Sequence, residues 1–157
     1  MAEEYERWME RAAEAARKSL CLRSKCGAVI VKGGMVVGGG YNAPPKDNLA
    51  RRTCLTEYEL PQRFKYDRTC CVHAEWRAIM DTLKTNPEKI EGARLYFIRV
   101  DEGGAIRKAG KPYCTVCSRL ALDVGLAEFT LWHEEGIRAY PTEEYHRLSA
   151  EYTEEKE

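Results

Sequence analysis

Two short groups of metal-binding side chains stand out in the 157-residue sequence. One is His73-Ala74-Glu75, and the other is Cys114-Thr115-Val116-Cys117; each stands at the start of a segment with helical hydrophobic spacing. Cysteines three residues apart on one helical turn can direct both sulfurs to one point, and a helix N-terminus favours their thiolate form. One imidazole and two thiolates give a tetrahedral zinc three protein ligands. The fourth position then stays open, as it does in catalytic zinc sites.

The chemistry expected of such a site is metal-assisted hydrolysis. Zinc lowers the pKa of a bound water from about 16 toward about 7, which makes hydroxide available at neutral pH. Glu75 lies two residues from His73, and as a carboxylate free of the metal it can take the proton of the water and return it. We therefore predict His73, Cys114 and Cys117 as metal ligands and Glu75 as the general acid and base. Together these parts would hydrolyse an amidine-like C–NH2 group.

The elements that position these residues follow from the hydrophobic spacing. Helical periodicity predicts helices over about residues 4–20, 72–84 and 114–124, and a last helix opens at Pro141. Two apolar runs around Gly33-Gly34 predict a hairpin, with further strands over 93–100 and 126–133 and an optional short strand over 136–140. This order predicts a single three-layer α/β/α domain over residues 1–157, with a mixed four- or five-stranded sheet.

The two motifs in combination resemble the cytidine and deoxycytidylate deaminase superfamily, whose pattern is H-x-E followed by P-C-x-x-C. The resemblance covers about residues 5–135 in element order. It implies a zinc-dependent deaminase with a cytidine-deaminase-like fold, and it assigns the same four residues to the same roles. One departure is Tyr113, which stands between Pro112 and Cys114.

The stretch Gly40-Tyr41-Asn42-Ala43-Pro44-Pro45-Lys46 resembles the G-Y-N-G-x-P-R segment of the deoxycytidylate deaminase branch. The resemblance implies Asn42 as a sugar or base contact and Lys46 as a phosphate contact, although the residues alone also fit a plain exit from a strand. Arg77 replaces an asparagine of the H-A-E-x-N-A pattern of that branch. Either a contact with a phosphate or acidic group of the substrate, or a solvated helix position, is open for it. The first expected function is therefore deamination of a cytosine nucleoside or nucleotide, with a dCMP-like monophosphate as the leading substrate.

Other functions stay open on the sequence alone. The alternative substrates are another small heterocycle, such as guanine, a pterin or a nucleoside antibiotic, and a base within RNA or single-stranded DNA. The non-enzymatic alternative is a catalytically silent binding module, against which the intact Glu75 counts. With 25 basic and 25 acidic residues the formal net charge is zero, and this favours a small-molecule substrate over long nucleic acid.

A polar stretch over about residues 42–70 separates the hairpin from the next helix, and loops of this length are often functional. Its basic residues suit either phosphate recognition or a solvated lid: Arg51, Arg52, Arg63, Lys65 and Arg68. Cys54, Cys70 and Cys71 lie in or beside this loop. Small buried cysteines are the favoured interpretation, and a second structural zinc, which some deoxycytidylate deaminases carry, is the alternative. Cys21 and Cys26 are expected in the core.

The location of the protein is predicted from its apolar runs and its first residues. No apolar run approaches the ~20 residues that span a bilayer, and the acidic start Met1-Ala2-Glu3-Glu4 lacks the features of a signal peptide. A cytoplasmic protein is therefore expected, with a solvated tail over about 153–157. The family resemblance further implies a homo-oligomer.

Overall fold

A computed structural model describes residues 2–55 and 70–152. The helices in these ranges are α1 (Ala2–Ala16), α2 (Ala74–Thr85), α3 (Thr115–Asp123) and α4 (Thr142–Ala150). The strands are β1 (Lys25–Lys32), β2 (Met35–Tyr41), β3 (Arg94–Val100), β4 (Ile106–Arg107), β5 (Glu128–His133) and β6 (Gly136–Pro141). Two short 3-10 turns, Pro45–Asp47 and Leu49–Arg51, follow β2.

The strands form one mixed sheet in the order β2-β1-β3-β5-β6, and the two-residue β4 pairs with the end of β3. β3 and β5 are parallel, and the other described pairs are antiparallel. Since β1 is antiparallel to both of its neighbours, β2, β3 and β5 all run in one direction. A helix that follows such a strand and returns across the sheet begins near its carboxyl end. The starts of α2 and α3 therefore lie at the same edge of the sheet.

The helices cover both faces of the sheet, which makes three layers. On one face, Met9 and Ala12 of α1 pack in a buried cluster with Val29 and Ile98. On the other face, α2, α3 and α4 contribute Ala78, Ala121 and Tyr145 to a second cluster, which includes Ile30 and Phe129 of the sheet. This arrangement confirms the predicted three-layer mixed α/β fold.

The sheet and the first helix differ from the prediction in detail. β6 supplies the fifth strand that the sequence left open, and β4 adds a sixth, which the polar, glycine-containing stretch after β3 did not indicate. α1 ends at Ala16 and not near residue 20. The chain after it is drawn to the end of β2, because Ser19 Oγ and Leu20 N both donate to the carbonyl of Asn42, at 2.8 and 3.3 Å.

α2 lies unusually close to β2 because two glycines of the strand face it. A Cβ atom on Gly40 would lie 2.8 Å from Ala78 N and 2.9 Å from Ala74 O. A Cβ atom on Gly38 would lie 2.0 Å from Thr82 Oγ1. Glycine therefore lets the backbones of helix and strand approach each other directly.

Parts of the predicted loop and tail lie outside the described residues. Residues 56–69 are among them, with Arg63, Lys65 and Arg68, and so are residues 153–157. None of the helices within residues 2–55 and 70–152 has the length and apolar character needed to cross a membrane.

Candidate active site and metal centre

His73 immediately precedes α2, where its extended backbone lets the helix begin. The chain reaches this point through an isolated bridge in which Val72 N donates to Ala43 O at 2.8 Å and Ala43 N donates back at 3.4 Å. The imidazole stacks on the indole of Trp76, with ring centroids 4.0 Å apart and planes at 4°. The bridge fixes the backbone of His73, and the stack fixes the plane of its ring.

The two cysteines open α3 in the way that their spacing predicts. Cys114 is the N-cap, and its Sγ accepts a hydrogen bond from the backbone N–H of Cys117 at 3.4 Å. The Cys117 thiol lowers the pKa of Cys114 to about 4, helped by His73 and opposed by burial. Burial, the largest cause, and the neighbouring Cys114 raise the pKa of the Cys117 thiol. A metal ion at this point would keep both sulfurs deprotonated.

The predicted ligand atoms converge in space. His73 Nδ1 lies 3.2 Å from Cys117 Sγ and 3.7 Å from Cys114 Sγ, and the two sulfurs are 2.9 Å apart. Tetrahedral zinc with Zn–S bonds of about 2.3 Å separates its ligand atoms by about 3.5–3.8 Å. The three atoms therefore need shifts of less than about 1 Å to surround a zinc ion, and the donor set of one nitrogen and two sulfurs fits that metal.

Glu75 completes the group, with one ligand atom of each of the four residues within 4.8 Å of the others. Its side chain is buried, on the first turn of α2. Burial raises the pKa of the carboxyl group, and the nearby Cys114 raises it further, while His73 opposes both. A carboxyl group in this environment holds a proton more readily than one in water, which suits a group that takes and returns protons.

Asn42 lies at the end of β2 in a closed set of hydrogen bonds. Its Oδ1 accepts from Cys26 N at 2.9 Å and lies 2.5 Å from Ser19 Oγ, and its Nδ2 donates to Ser24 O at 2.7 Å. The side chain is buried. In this arrangement the amide ties the end of β2 to the segment that joins α1 and β1.

Arg77 points from α2 to the turn that follows β2. Its guanidinium donates to Asp47 Oδ1 at 2.8 Å and to Pro44 O at 2.9 Å, and it lies 5.2 Å from the centre of the Tyr41 ring. Tyr41 donates its hydroxyl to Asp47 Oδ2 at 2.5 Å. Lys46 and Asp47 both have positive φ angles, 60° and 57°, which are strained for residues other than glycine. The ion pair therefore holds a strained turn in which Lys46 is exposed.

Four cysteines gather beside the lead-in to His73. Cys54 Sγ lies 4.0 Å from Cys21 Sγ and 3.5 Å from Cys70 Sγ, and Cys70 Sγ lies 3.7 Å from Cys71 Sγ. One sulfur each from Cys21, Cys54 and Cys71 lies within 4.8 Å of the other two. The sequence predicted the other three cysteines as one group and Cys21 as a core residue; Cys21 is buried as predicted, and it also joins the sulfur cluster. The feature of the sequence that could have indicated this contact is the position of Cys21 just after α1, on the segment that returns to the end of β2.

A histidine and a glutamate at one helix start, opposite two cysteines at another, on a three-layer mixed sheet, define the class of zinc-dependent hydrolytic deaminases. The model of the cytidine and deoxycytidylate deaminase zinc-binding region matches residues 2–131, which contain all four site residues. The chain belongs to this family, and it is a deaminase enzyme with zinc as the family's metal.

Two similar proteins are both deoxycytidylate deaminases. A deoxycytidylate deaminase of Mycobacterium phage D29 is 38% identical over 94 residues, which cover 56% of this chain and 71% of the relative. A deoxycytidylate deaminase of Schizosaccharomyces pombe is 34% identical over 77 residues, which cover 47% of this chain and 24% of the relative.

Solved structures share the fold at low sequence identity. The cytidine deaminase of Burkholderia pseudomallei has a TM-score of 0.58 at 19% identity, covering 89% of this chain and 94% of the other. The dCMP deaminase of cyanophage S-TIM5, in complex with dCMP and dUMP, has a TM-score of 0.57 at 24% identity, covering 82% of this chain and 80% of the other. These likenesses confirm the cytidine-deaminase-like fold.

Proposed function

We propose that this chain, as a single deaminase domain over residues 1–157, hydrolytically deaminates a cytosine nucleotide, with a dCMP-like monophosphate as its first substrate. The observation that carries the proposal is the convergence of His73, Glu75, Cys114 and Cys117 within 4.8 Å at one edge of the sheet. The nucleotide is favoured over a free base because the phage D29 relative, 71% of which this chain covers, is a deoxycytidylate deaminase.

The proposed roles follow from the chemistry of each side chain. His73 Nδ1 and the sulfurs of Cys114 and Cys117 would hold zinc, which supplies a water nucleophile at neutral pH when it is bound. Glu75 takes the proton of the attacking water, protonates N3 of the pyrimidine, and delivers a proton to the departing amino group. Water adds at C4, the C4–N bond breaks, and the products are the uracil nucleotide and ammonia.

The substrate contacts of Asn42, Lys46 and Arg77 stay predictions. The amide of Asn42 and the guanidinium of Arg77 hold the two ends of the segment that carries Lys46. Replacing Asn42 or Arg77 would therefore change the shape of this segment as well as any direct contact with the substrate. A homo-oligomeric state and a cytoplasmic location also stay predictions, and light scattering of the purified chain tests the first.

The test is ammonia release by the purified zinc-loaded protein from dCMP, CMP, deoxycytidine, cytosine, guanine and a single-stranded oligonucleotide. We expect the highest kcat/KM on a cytosine monophosphate. Glu75→Gln should lower kcat by about 100-fold or more, the range of general acid–base catalysis, while bound zinc is unchanged. Glu88→Gln, at an exposed glutamate beyond the same helix, is the matched control and should leave activity intact. Full activity of Glu75→Gln would overturn the mechanism, and turnover of guanine or the oligonucleotide alone would overturn the substrate.

The cysteine cluster supports a second, structural zinc, which we also propose. Tetrahedral zinc with four sulfur ligands places them about 3.8 Å apart. Three of the sulfur pairs in this cluster are 3.5, 3.7 and 4.0 Å apart, and the sulfurs of Cys21, Cys54 and Cys71 all lie within 4.8 Å of one another, so Cys70 would be the fourth ligand. The hydrogen bond from Cys71 lowers the pKa of the Cys21 thiol, against the effect of burial. Four thiolates leave no open position, and such a site is structural.

Metal analysis separates one zinc from two. We expect two zinc ions per chain in the wild type and one in Cys21→Ser/Cys54→Ser, which loses two sulfurs of the cluster. Cys26→Ser, at a half-buried cysteine that bonds with Ser24, is the control and should keep both ions. Wild-type protein that binds a single zinc, lost on Cys114→Ser, would overturn the second site and leave the catalytic one in place.

A further inference from the structure

A cavity of about 130 Å³ lies beside the catalytic cluster, on the face of the sheet that α3 and α4 cover. The residues of its wall that matter here are Phe97, Arg99, Lys111, Tyr113, Tyr145 and Tyr152. Its volume exceeds that of a phosphate group and is smaller than that of a whole nucleotide. The cavity therefore suits one part of a larger ligand.

The wall of the cavity carries positive charge without acidic residues. Arg99 and Lys111 are its two cations, and among the described residues that line it there is no aspartate or glutamate. The other polar groups of the wall are tyrosine hydroxyls, which can donate hydrogen bonds. Cations and hydroxyl donors without a carboxylate are the lining expected of an anion site.

Arg99 is held rigidly and still has a donor to offer. Its guanidinium lies 5.9 Å from the centre of the Phe97 ring and 5.4 Å from that of the Tyr113 ring, and one NH2 group donates to the Tyr113 hydroxyl. Its Nε–H is buried and has no hydrogen-bond partner among residues 2–55 and 70–152. Because Tyr113 accepts this bond, its own O–H proton remains free to donate toward an acceptor.

The cavity is close to the catalytic group in both chain and space. Tyr113 immediately precedes the proposed metal ligand Cys114. The pKa of Arg99 is raised although burial opposes this, and the groups that raise it include Tyr113, Cys26 and the carboxylate of Glu75. The guanidinium thus lies near enough to Glu75 for its charge to act there.

We propose that this cavity binds the phosphate of the mononucleotide substrate, with Arg99 as the residue that distinguishes nucleotide from nucleoside. The inference rests on the proposed function and deepens it, since it assigns the phosphate to the stretch between β3 and α3 and not to the exposed Lys46. The guanidinium of Arg99 donates hydrogen bonds to the phosphate oxygens, and the Tyr113 hydroxyl is a further donor.

The test compares dCMP with deoxycytidine, because the two differ only in the phosphate. In the zinc-loaded enzyme, Arg99→Gln should lower kcat/KM for dCMP by about 10- to 100-fold, the range for hydrogen bonds to charged groups, and that for deoxycytidine by less than about 3-fold. Lys111→Gln should act in the same direction with a smaller effect. Lys84→Gln, at an exposed lysine in the last turn of α2, is the matched control and should change both substrates equally and little. Equal losses on both substrates with Arg99→Gln, or a nucleotide-specific loss only with Lys46→Gln, would overturn the inference.

Binding separates a failure of this inference from a failure of the proposed function. The Kd of dCMP and deoxycytidine is measured by calorimetry in the Glu75→Gln background, with Arg99 intact or replaced. A selective weakening of dCMP supports the subsite even if no ammonia is released from any cytosine compound. Undiminished dCMP binding in the double variant overturns it, whatever the activity. If Arg99→Gln fails to fold, Arg99→Lys replaces it, because this variant keeps the charge and removes the planar guanidinium donors. It should give the same selective loss of dCMP binding.

Discussion

The contact between Arg77 and Asp47 allows a quantitative test of how the catalytic helix holds the turn after β2. The Arg77 side chain is 18% exposed and that of Asp47 39% exposed, at an N–O distance of 2.8 Å. Exposed pairs contribute about 0.2–1 kcal/mol, so we expect a coupling energy of about 1 kcal/mol for this half-buried pair. Arg77→Met also removes the bond to Pro44 O and the contact with the Tyr41 ring. The free energy of unfolding should therefore fall by about 2–3 kcal/mol in all.

The assay is a double-mutant cycle in urea at pH 7 with Arg77→Met, Asp47→Asn and the combined variant. The pair Arg147–Glu151 is the control, because it has a similar distance of 3.1 Å but exposed fractions of 58% and 62%. Its coupling should stay below about 0.5 kcal/mol. A coupling energy below about 0.3 kcal/mol between Arg77 and Asp47 would refute the role given to Arg77, because the ion pair would then not stabilise the turn.

Three further predictions concern the same edge of the molecule. Gly40→Ala should lower the free energy of unfolding by about 2–3 kcal/mol in a urea titration, because its Cβ would lie 2.8–2.9 Å from backbone atoms of the helix. Gly39→Ala is the control: its nearest contact would be at 3.4 Å, and it should cost less than about 1 kcal/mol. The Tyr41 hydroxyl and Arg77 lower the pKa of Asp47, so its stabilising contribution is complete above the unfolded value of about 3.9 and is lost as the pH falls through the folded value. The difference in unfolding free energy between wild type and Asp47→Asn should accordingly shrink as the pH falls below about 3.9, and a difference that grows would contradict the assigned sign. Asn42→Ala leaves a backbone N–H and a carbonyl without their partner and should cost about 2–4 kcal/mol, measured as a fall in urea midpoint; an unchanged midpoint would mean that the amide serves substrate and not structure.

The sequence could indicate that the side chains of this group would lie together, because the group depends on short spacings. His73 and Glu75 lie on one turn, Cys114 and Cys117 on another, and each pair keeps its geometry once its helix forms. The convergence of the two pairs requires in addition that both helices begin at one edge of the sheet, which the strand directions of the structure provide.

The features that the sequence did not reveal depend on contacts between distant segments. The role of Arg77 depends on a turn with two positive φ angles. The sequence does not predict this turn, because Lys46 and Asp47 stand where glycine is usual. The place of Cys21 in the sulfur cluster depends on how three separate segments meet beside Val72. Arg99 is an ordinary charged residue near the end of a strand until the ring of Tyr113 and the cavity are seen beside it.

The glycine contact between β2 and α2 has a consequence for how this enzyme tolerates mutation. In most helix–sheet interfaces the spacing depends on the volumes of interlocking side chains, so each core substitution shifts the helix a little. Here Gly38 and Gly40 place backbone and short side-chain atoms of α2 directly against the strand, and Gly39 N donates to Asp81 Oδ2 of the helix at 3.0 Å. The position of His73 and Glu75 therefore depends on these direct contacts as well as on the apolar residues of α2 in the core. A side chain at Gly38 or Gly40 would push the helix away from the strand, so we expect substitution at either glycine to displace the catalytic pair as well as to lower stability.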